Sequence, residues 1–394
     1  MIALTRRSAQ RVYSGVQGLY WLTYGLMISF ASVYLQGRGF ANREIGFILG
    51  GSYALSSLLQ PVIAQRLTRI SAIERGICVL YGVIAVLALI LLFMPLSGLL
   101  LPLIVVGMFA LESALQPEID TLAQRWTQMG CPVDFGKSRG IASLLYSGMT
   151  AGMGLLLHSI TPLALPAFYL ATILISIGLL GGLRLPTSSD SADGSLPTGG
   201  VEASLALRNR HFLVFLAGIS CLSFGHVVVD IFMLQIMQSF GGDSRNLGIA
   251  VSIASLVEVP AMLLHSRMTR RFGVYRLLIL SGWAWWMKNI LIFLARSPIA
   301  IYAAELLQFF SYGLYIPTVV GYIAQVFSER ERLRGQALAG SAYTIGSVIA
   351  TLAGGVLLDY RGVHATLLVV VLISLLGAVL FTGSIRKNII GNLL

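Results

Sequence analysis

Charged side chains are scarce in this sequence. They make up 11% of its 394 residues, whereas soluble globular domains carry about 25%. The hydrophobic fraction is 56% and the mean hydropathy is +0.83. A water-soluble chain of this length would lack the polar side chains needed to cover its surface. The composition therefore excludes a soluble protein and predicts a polytopic membrane protein.

Cysteines and catalytic motifs are also scarce. The three cysteines, Cys78, Cys131 and Cys221, lie far apart, and no pair is placed for a disulfide or a metal site. The sequence contains no H-E-x-x-H zinc motif and no Walker phosphate-binding motif. His226 has no serine placed to form a dyad with it. We therefore expect no metal, no cofactor, no use of ATP and no enzymatic activity.

Long apolar runs make up most of the chain, and each is about long enough to cross a bilayer as a helix. They lie near 13–35, 44–64, 76–94, 98–122, 140–160, 162–183, 212–238, 247–266, 275–295, 298–326, 336–357 and 363–384. A Ser-, Gly-, Pro- and Asp-rich stretch separates the first six from the last six. The sequence thus predicts an all-α membrane protein with twelve transmembrane helices in two six-helix bundles. The bundles would be residues 1–183 and 212–394, joined by a linker at 184–211.

The net charge of +11 follows the connections between the runs. The N-terminus, the even-numbered connections and the C-terminus hold 20 of the 27 Lys and Arg residues, and the odd-numbered connections hold five. Because positive charge accumulates on the cytoplasmic side of membrane proteins, we expect both termini and the linker in the cytoplasm. The basic charge is then a topology signal, and we expect a lipid bilayer rather than nucleic acid as the partner.

The two halves of the chain share sequence features. Arg66, Thr68, Arg69 and Arg75 recur 201 residues later, and Pro117 and Arg139-Gly140 have counterparts in Pro317 and Arg334-Gly335. Both halves start on the same side of the membrane, so the repeats would be parallel. This arrangement is typical of two-bundle secondary transporters, in which the substrate binds between the halves.

Several ionisable residues fall within or at the ends of the apolar runs, where a central charge costs roughly 2.5–3.5 kcal/mol. Acids outnumber bases among them, and His226 and Asp230, four residues apart, share one helix face. They are Glu112, Glu118, Asp120, Arg139, His226, Asp230, Glu258, Lys288 and Glu305. Because two bases cannot pair with all the acids, at least one carboxyl should bind a proton, as proton-coupled transport requires.

Several motifs resemble the major facilitator superfamily and, within it, the lactose-permease-like oligosaccharide and phenylpropionate proton symporters. The stretch from the end of the first run into the second reads SFASVYLQGRGFANREIGFILG. The second run ends near Leu59-Gln60-Pro61, and Phe135-Gly136-Lys137-Ser138-Arg139 directly precedes the fifth. This resemblance places Arg139 on the sugar-binding arginine, Tyr146 on the stacking tryptophan and Asp120 on the binding glutamate. It also places Glu258 on a substrate- and coupling-linked glutamate and Lys288 on the coupling arginine.

Departures from the pattern of that group concern proton handling. Gln308 and Ser311 replace the His-x-x-Glu of the tenth helix, and Glu305 replaces the lysine before it. Galactoside specificity is therefore not implied, and another carboxyl must carry any coupled proton. The expected proton-coupling residues are Glu258, Glu305 and Asp230. The expected substrate-binding residues are Asp120, Arg139, Tyr146, His226, Asp230, Glu258, Lys288 and Gln308.

The expected function is proton-coupled import of a small organic solute by alternating access. A sugar or glycoside, a nucleoside or an aromatic acid would fit, and Arg139 and Lys288 would suit an anion. The alternative is a proton-antiport exporter of drugs or a siderophore-like metabolite, because an excess of acids serves either direction. We expect a monomer, multi-pass in the bacterial cytoplasmic (inner) membrane, with substrate and protons as its partners.

Overall fold

A computed structural model describes residues 2–6, 8–68, 73–94, 98–184 and 209–391. Nearly all of the linker predicted at 184–211 lies outside the described residues, as does Arg69 of the repeated motif. Residues 8–184 are called the N-terminal half below, and residues 209–391 the C-terminal half.

Helices dominate the described residues. They are α1 (Ala9–Tyr24), α2 (Ala31–Gly37), α3 (Asn42–Thr68), α4 (Ile73–Phe93), α5 (Leu100–Gln128), α6 (Phe135–Ser159), α7 (Leu165–Gly181), α8 (Arg210–Ile231), α9 (Met233–Gln238), α10 (Ser244–Phe272), α11 (Val274–Leu294), α12 (Pro298–Glu305), α13 (Tyr312–Val326) and α14 (Glu329–Gly391). A π-helical segment, Gly25–Ser29, joins α1 to α2, and 3₁₀ segments at Pro162–Ala164 and Leu306–Phe309 precede α7 and α13. Two short strands, β1 (Ile2–Ala3) and β2 (Leu183–Arg184), pair in parallel.

Ten helices within the described residues are long and apolar enough to cross a membrane, and the bent pair Ala9–Ser29 and Ala31–Gly37 would make eleven. Many of their large apolar side chains are exposed, such as Val79, Phe93 and Leu263. Exposed apolar surface on this scale would aggregate in water but suits lipid. The expectation of a helical, multi-pass membrane protein is confirmed.

The last of these helices, α14, is interrupted at Gly362. The backbone there has φ +73° and ψ 177°, which is not helical. Glycine adopts a positive φ without the steric clash that a Cβ would cause. Residues on either side of Gly362 therefore form two helical stretches, each long enough to span a bilayer.

Helices from the two halves meet closely along two seams. In the first, between α6 and α10, a Cβ added to Gly154 would lie 2.8 Å from the Gly248 Cα. In the second, between α3 and α14, a Cβ on Gly46 would clash with the Thr351 carbonyl. Small residues allow such close backbone approach in lipid.

Polar contacts close the same end of both seams, here called the sealed end. The Asp359 carboxylate accepts hydrogen bonds from the backbone N–H groups of Asn42 (3.2 Å) and Arg43 (2.9 Å), at the start of α3. On the other seam, His158 Nδ1 lies 2.8 Å from Asp243 Oδ2. Each seam therefore places a carboxylate at a helix N-terminus, where the helix dipole favours negative charge.

Candidate functional site

A cavity of about 320 Å³ lies between the two halves. Both halves contribute its lining, which is rich in tyrosine and serine. Among the residues predicted from the sequence, it is lined by Arg139, Tyr146, His226, Asp230, Glu258, Glu305 and Gln308. Within the described residues, no group of three or more His, Cys, Asp or Glu side chains is placed to hold a metal ion.

Arg139 is the charged residue among the described residues of the N-terminal half that line the cavity. Its guanidinium lies 3.5 Å from the centroid of the Trp21 ring, in cation–π contact. No carboxylate in the described part of the chain forms an ion pair with it within 4.0 Å. The guanidinium thus keeps hydrogen-bond donors for a solute in the cavity.

Tyr146 stands about two helical turns further along α6 and also lines the cavity. Its hydroxyl is 2.6 Å from the Ser29 hydroxyl, and its ring makes an edge contact with Trp21. Gly25, the first residue of the π-helical segment, allows this packing, because a Cβ added there would lie 2.7 Å from the Tyr146 ring. The local backbone of the first span therefore sets the position of the aromatic wall.

The wall formed by the C-terminal half contains a continuous polar chain. Lys288 Nζ pairs with Glu305 Oε2 at 2.6 Å and donates to Gln308 Oε1 at 2.8 Å. Gln308 Nε2 donates in turn to Glu258 Oε1 at 3.0 Å. Lys288, Glu305 and Gln308 are all at most 3% exposed. The charges of Lys288 and Glu305 neutralise each other, whereas Glu258 has only a neutral amide as a close partner.

The 3₁₀ segment Leu306–Phe309 explains how Glu305 and Gln308 reach the same lysine. Residues three apart eclipse one another in a 3₁₀-helix, so these two side chains lie on one face. Gly313, just after the segment, lets α13 approach α10 beside Glu258, because a Cβ there would be 2.9 Å from the Ala261 Cβ. The departure from regular helix thus assembles the polar chain.

His226 and Asp230 occupy the next part of the same wall. His226 Nε2 lies 3.4 Å from Asp230 Oδ2, and the imidazole stacks on Tyr312 with 5.0 Å between ring centroids. The His226 side chain is 5% exposed, but the Asp230 side chain is 51% exposed. Asp230 therefore presents its carboxyl to the water-accessible cavity, and His226 orients it.

Two predicted residues lie outside the set that lines the cavity. Lys288 sits behind the wall and reaches the cavity only through Glu305 and Gln308. Asp120 accepts a hydrogen bond from Gln17 Nε2 at 2.7 Å, near Tyr13. Asp120 therefore takes part in packing between α1 and α5 in this structure.

Some cavity residues were not singled out from the sequence. Tyr53, Tyr343 and the hydroxyl side chains Ser29, Ser143 and Ser255 line the cavity. No charge or motif marks these residues, and tyrosines and serines occur throughout the chain. Trp21 also lines the cavity, and its contact with Arg139 distinguishes it from the other aromatic residues there.

One stretch also matches the G-x-S-x-G pattern of serine hydrolases, Gly136 to Gly140. Ser138 in this stretch is completely buried. Its hydroxyl lies 3.0 Å from that of Ser14 and accepts a hydrogen bond from Gln10 Nε2 at 2.9 Å. Among the described residues, no histidine forms a hydrogen bond with this hydroxyl, so the match lacks the base that would activate a serine nucleophile.

A multi-pass helical protein with a polar cavity between its halves has the architecture of a secondary transporter. The chain belongs to the MFS_1 like family, whose model matches residues 12–369. This match confirms the resemblance to major facilitator transporters seen in the sequence.

Two curated relatives are membrane transporters. A maltose permease from Geobacillus stearothermophilus is 27% identical over 352 residues, covering 86% of each chain. A probable 3-phenylpropionic acid transporter from Escherichia coli (strain K12) is 27% identical over 267 residues, covering 67% of this chain and 68% of its own. The chain is thus a secondary transporter, and it is related to membrane permeases rather than to enzymes.

Solved structures show the same fold. The nucleoside transporter NupG, in a mutant form, matches with a TM-score of 0.80 at 14% identity, covering 96% of this chain and 99% of its own. A bacterial homologue of the human lysosomal transporter Spinster, in an inward-facing and occupied conformation, matches with a TM-score of 0.69 at 13% identity and covers 97% of each chain.

Proposed function

We propose that this protein is a proton-coupled importer of a small organic solute that works by alternating access. The observation that carries the proposal is the unequal charge of the cavity walls. Arg139 offers an unpaired cation on one wall, while Asp230 and Glu258 offer carboxyls with neutral partners on the other. A carboxyl that is not locked in an ion pair can take up and release a proton during the cycle.

The substrate class follows from the lining. Tyrosine and serine hydroxyls suit a polyhydroxylated or ring-containing solute, and Arg139 next to Trp21 suits a carboxylate or a sugar hydroxyl. We propose a sugar or glycoside, a nucleoside or an aromatic acid. The names of the relatives, a maltose permease, a 3-phenylpropionic acid transporter and a nucleoside transporter, support this range.

The same proposal includes twelve spans in two six-helix bundles, residues 1–183 and 212–394. Counting α1 and α2 as one bent span and α14 as two spans gives this number. We place the protein in a bacterial inner membrane with both termini on the cytoplasmic side. The sealed end would then lie on the opposite, outer side of the membrane. The conformation would then be closed to the outside, and the protein would act as a monomer.

Transport by purified protein in liposomes tests the proposal. Radiolabelled maltose, 3-phenylpropionate and uridine are offered outside, with the interior buffered alkaline or at equal pH. We expect uptake of one of them to exceed its equilibrium level only with the pH gradient. Glu258→Gln should abolish this accumulation, whereas Glu329→Gln, an exposed control in the first turn of α14, should not.

Counterflow without a gradient separates binding from coupling. Glu258→Gln is expected to retain counterflow if this carboxyl serves the proton, and to lose it if the carboxyl only binds solute. Solute that leaves preloaded vesicles against its gradient when protons enter would contradict import and establish the exporter alternative.

A further inference from the structure

Gln308 is the one neutral side chain in the polar chain of the C-terminal wall, and it bonds to charged groups on both sides. Its amide oxygen accepts from Lys288 Nζ at 2.8 Å, and its amide nitrogen donates to Glu258 Oε1 at 3.0 Å. The Ser311 hydroxyl approaches the same amide oxygen at 3.5 Å. The residue is 3% exposed, so water does not readily replace these partners.

The chemistry of Lys288 fixes the orientation of this amide. A lysine ammonium has three donors and no acceptor, so the amide oxygen must face Lys288. The NH₂ group must then face Glu258. A carboxylate accepts such a bond as a charge-assisted hydrogen bond, which is about twice as strong as a neutral one.

We propose that Gln308 is the positioning residue that holds Glu258 as a hydrogen-bond acceptor and ties its charge state to the Lys288–Glu305 pair. This inference rests on the proposed proton-carrying role of Glu258. When Glu258 takes a proton from cavity water, the bond from Gln308 changes from charge-assisted to neutral. Because linked hydrogen bonds polarise one another, the bond between Gln308 and Lys288 weakens with it.

The ion pair between Lys288 and Glu305 then becomes the stronger of the two interactions of Lys288. The reverse holds when Glu258 returns its proton to water: the amide again bridges a carboxylate and an ammonium. Gln308 thus transmits a charge change at the cavity surface to a buried ion pair without itself gaining or losing a proton. The other ionisable groups that face Glu258 are Arg139, Asp230, Tyr146 and Tyr312.

Infrared spectroscopy of the protein in liposomes tests this without any substrate. A pH titration should show the carbonyl band of a protonated carboxyl that Glu258→Gln removes, which identifies Glu258. In Gln308→Met, which keeps the side-chain length but not the donor, the band should persist, with its midpoint about 1–2 pH units higher. That shift corresponds to a hydrogen bond to a charged group.

Gln308→Glu is a second variant that tests the same bond if Gln308→Met does not fold. An ionised glutamate keeps the shape and the acceptor for Lys288 but has no donor for Glu258. Its negative charge also opposes ionisation of Glu258, so the midpoint should rise by more than in Gln308→Met. Gln325→Met, an exposed amide late in α13, is the matched control and should leave the midpoint unchanged.

The outcomes separate the two proposals. Absence of a Glu258 band in the wild-type titration would overturn its proton-carrying role and therefore the proposed function. A clear Glu258 band whose midpoint is the same in Gln308→Met and Gln308→Glu as in the wild type would overturn the role of Gln308 alone.

The link to the ion pair has its own test. Replacing both partners, in Lys288→Met with Glu305→Leu, removes the group that fixes the amide. The Glu258 midpoint should then rise by part of the Gln308→Met shift, and adding Gln308→Met should raise it by less than in the wild type. Full additivity of the two shifts would show that Gln308 does not transmit charge to the pair.

Discussion

The two walls of the cavity use charge in opposite ways. On the N-terminal wall, Arg139 lies on an aromatic ring and has no carboxylate partner among the described residues. On the C-terminal wall, Lys288 is 1% exposed and already has two acceptors, Glu305 and Gln308. A charge without a partner near water is available to a solute, whereas a buried, paired charge holds its own wall together. Residue type alone therefore does not show which cation meets the substrate.

This difference in burial gives the largest expected effect. Lys288→Ala would leave Glu305, which is 1% exposed, without its counter-charge. Removing one partner of a buried pair typically costs about 3–5 kcal/mol. The unfolding temperature of the purified protein, followed by tryptophan fluorescence, should fall strongly.

The double variant Lys288→Ala with Glu305→Ala is the control. Because it removes both charges, it should recover much of the stability lost in Lys288→Ala. A double variant no more stable than the single one would show that the pair does not stabilise the C-terminal wall.

The opposite wall should respond in the opposite way. Arg139→Gln leaves no carboxylate stranded, so the unfolding temperature should change little. Binding of an anionic or hydroxyl-rich solute should weaken about 10- to 100-fold, the equivalent of one lost charged hydrogen bond. Isothermal titration with the solute found by the transport screen measures this. A large loss of stability with unchanged affinity would reverse the roles assigned to the two walls.

The sequence indicated which ionisable residues to look for, because such residues are rare within apolar runs that face lipid. Asp230, Glu258 and Glu305 stand out within apolar runs, and the structure places each beside the cavity. Pairing was not predictable in the same way. That Lys288 turns to Glu305 and Gln308 depends on a 3₁₀ segment, for which the sequence has no clear signal. Asp120 was placed by resemblance, yet it bonds to Gln17 in the structure.

The fold was predictable to a similar degree. Apolar run length gave the helices, and the turn at Gly362 falls at the predicted boundary between the last two runs. The seams were less visible, because close approach depends on which helices meet. Nothing near Asp359 marks it as a partner for the start of α3.

A smaller effect is expected at the aromatic part of the N-terminal wall. Tyr146→Phe removes the hydroxyl that lies 2.6 Å from Ser29 but keeps the ring. A neutral hydrogen bond contributes about 0.5–1.5 kcal/mol, so solute affinity should fall by no more than about tenfold. Ser29→Ala should have an equal effect, and the double variant should add little if the bond is what matters. Additive losses in the double variant would mean that each hydroxyl contacts the solute separately.

A comparably small effect, on stability, is expected where the two halves are joined, at Asp243 on the sealed end. Partial burial acts to raise the pKa of Asp243, but hydrogen bonds from the Asn246 and Arg245 backbone N–H groups, together with His158, lower it below its ordinary value. A lowered pKa means that the carboxylate stabilises the folded protein above its unfolded-state pKa. That stability is lost as the pH falls through the folded-state pKa.

Asp243→Ala should therefore lower the unfolding temperature at neutral and mildly acidic pH, by the equivalent of about 1 kcal/mol for a lost N-cap. The difference from the wild type should shrink only below the usual carboxyl range. Asp134→Ala is the matched control, because Asp134 caps α6 through the Lys137 N–H but lies within the N-terminal half. If Asp243 also joins the halves through His158, Asp243→Ala should increase the chemical labelling of cavity residues by a reagent added on the side of the sealed end. Asp134→Ala should not increase it. Equal labelling in the two variants would reduce Asp243 to an ordinary helix cap.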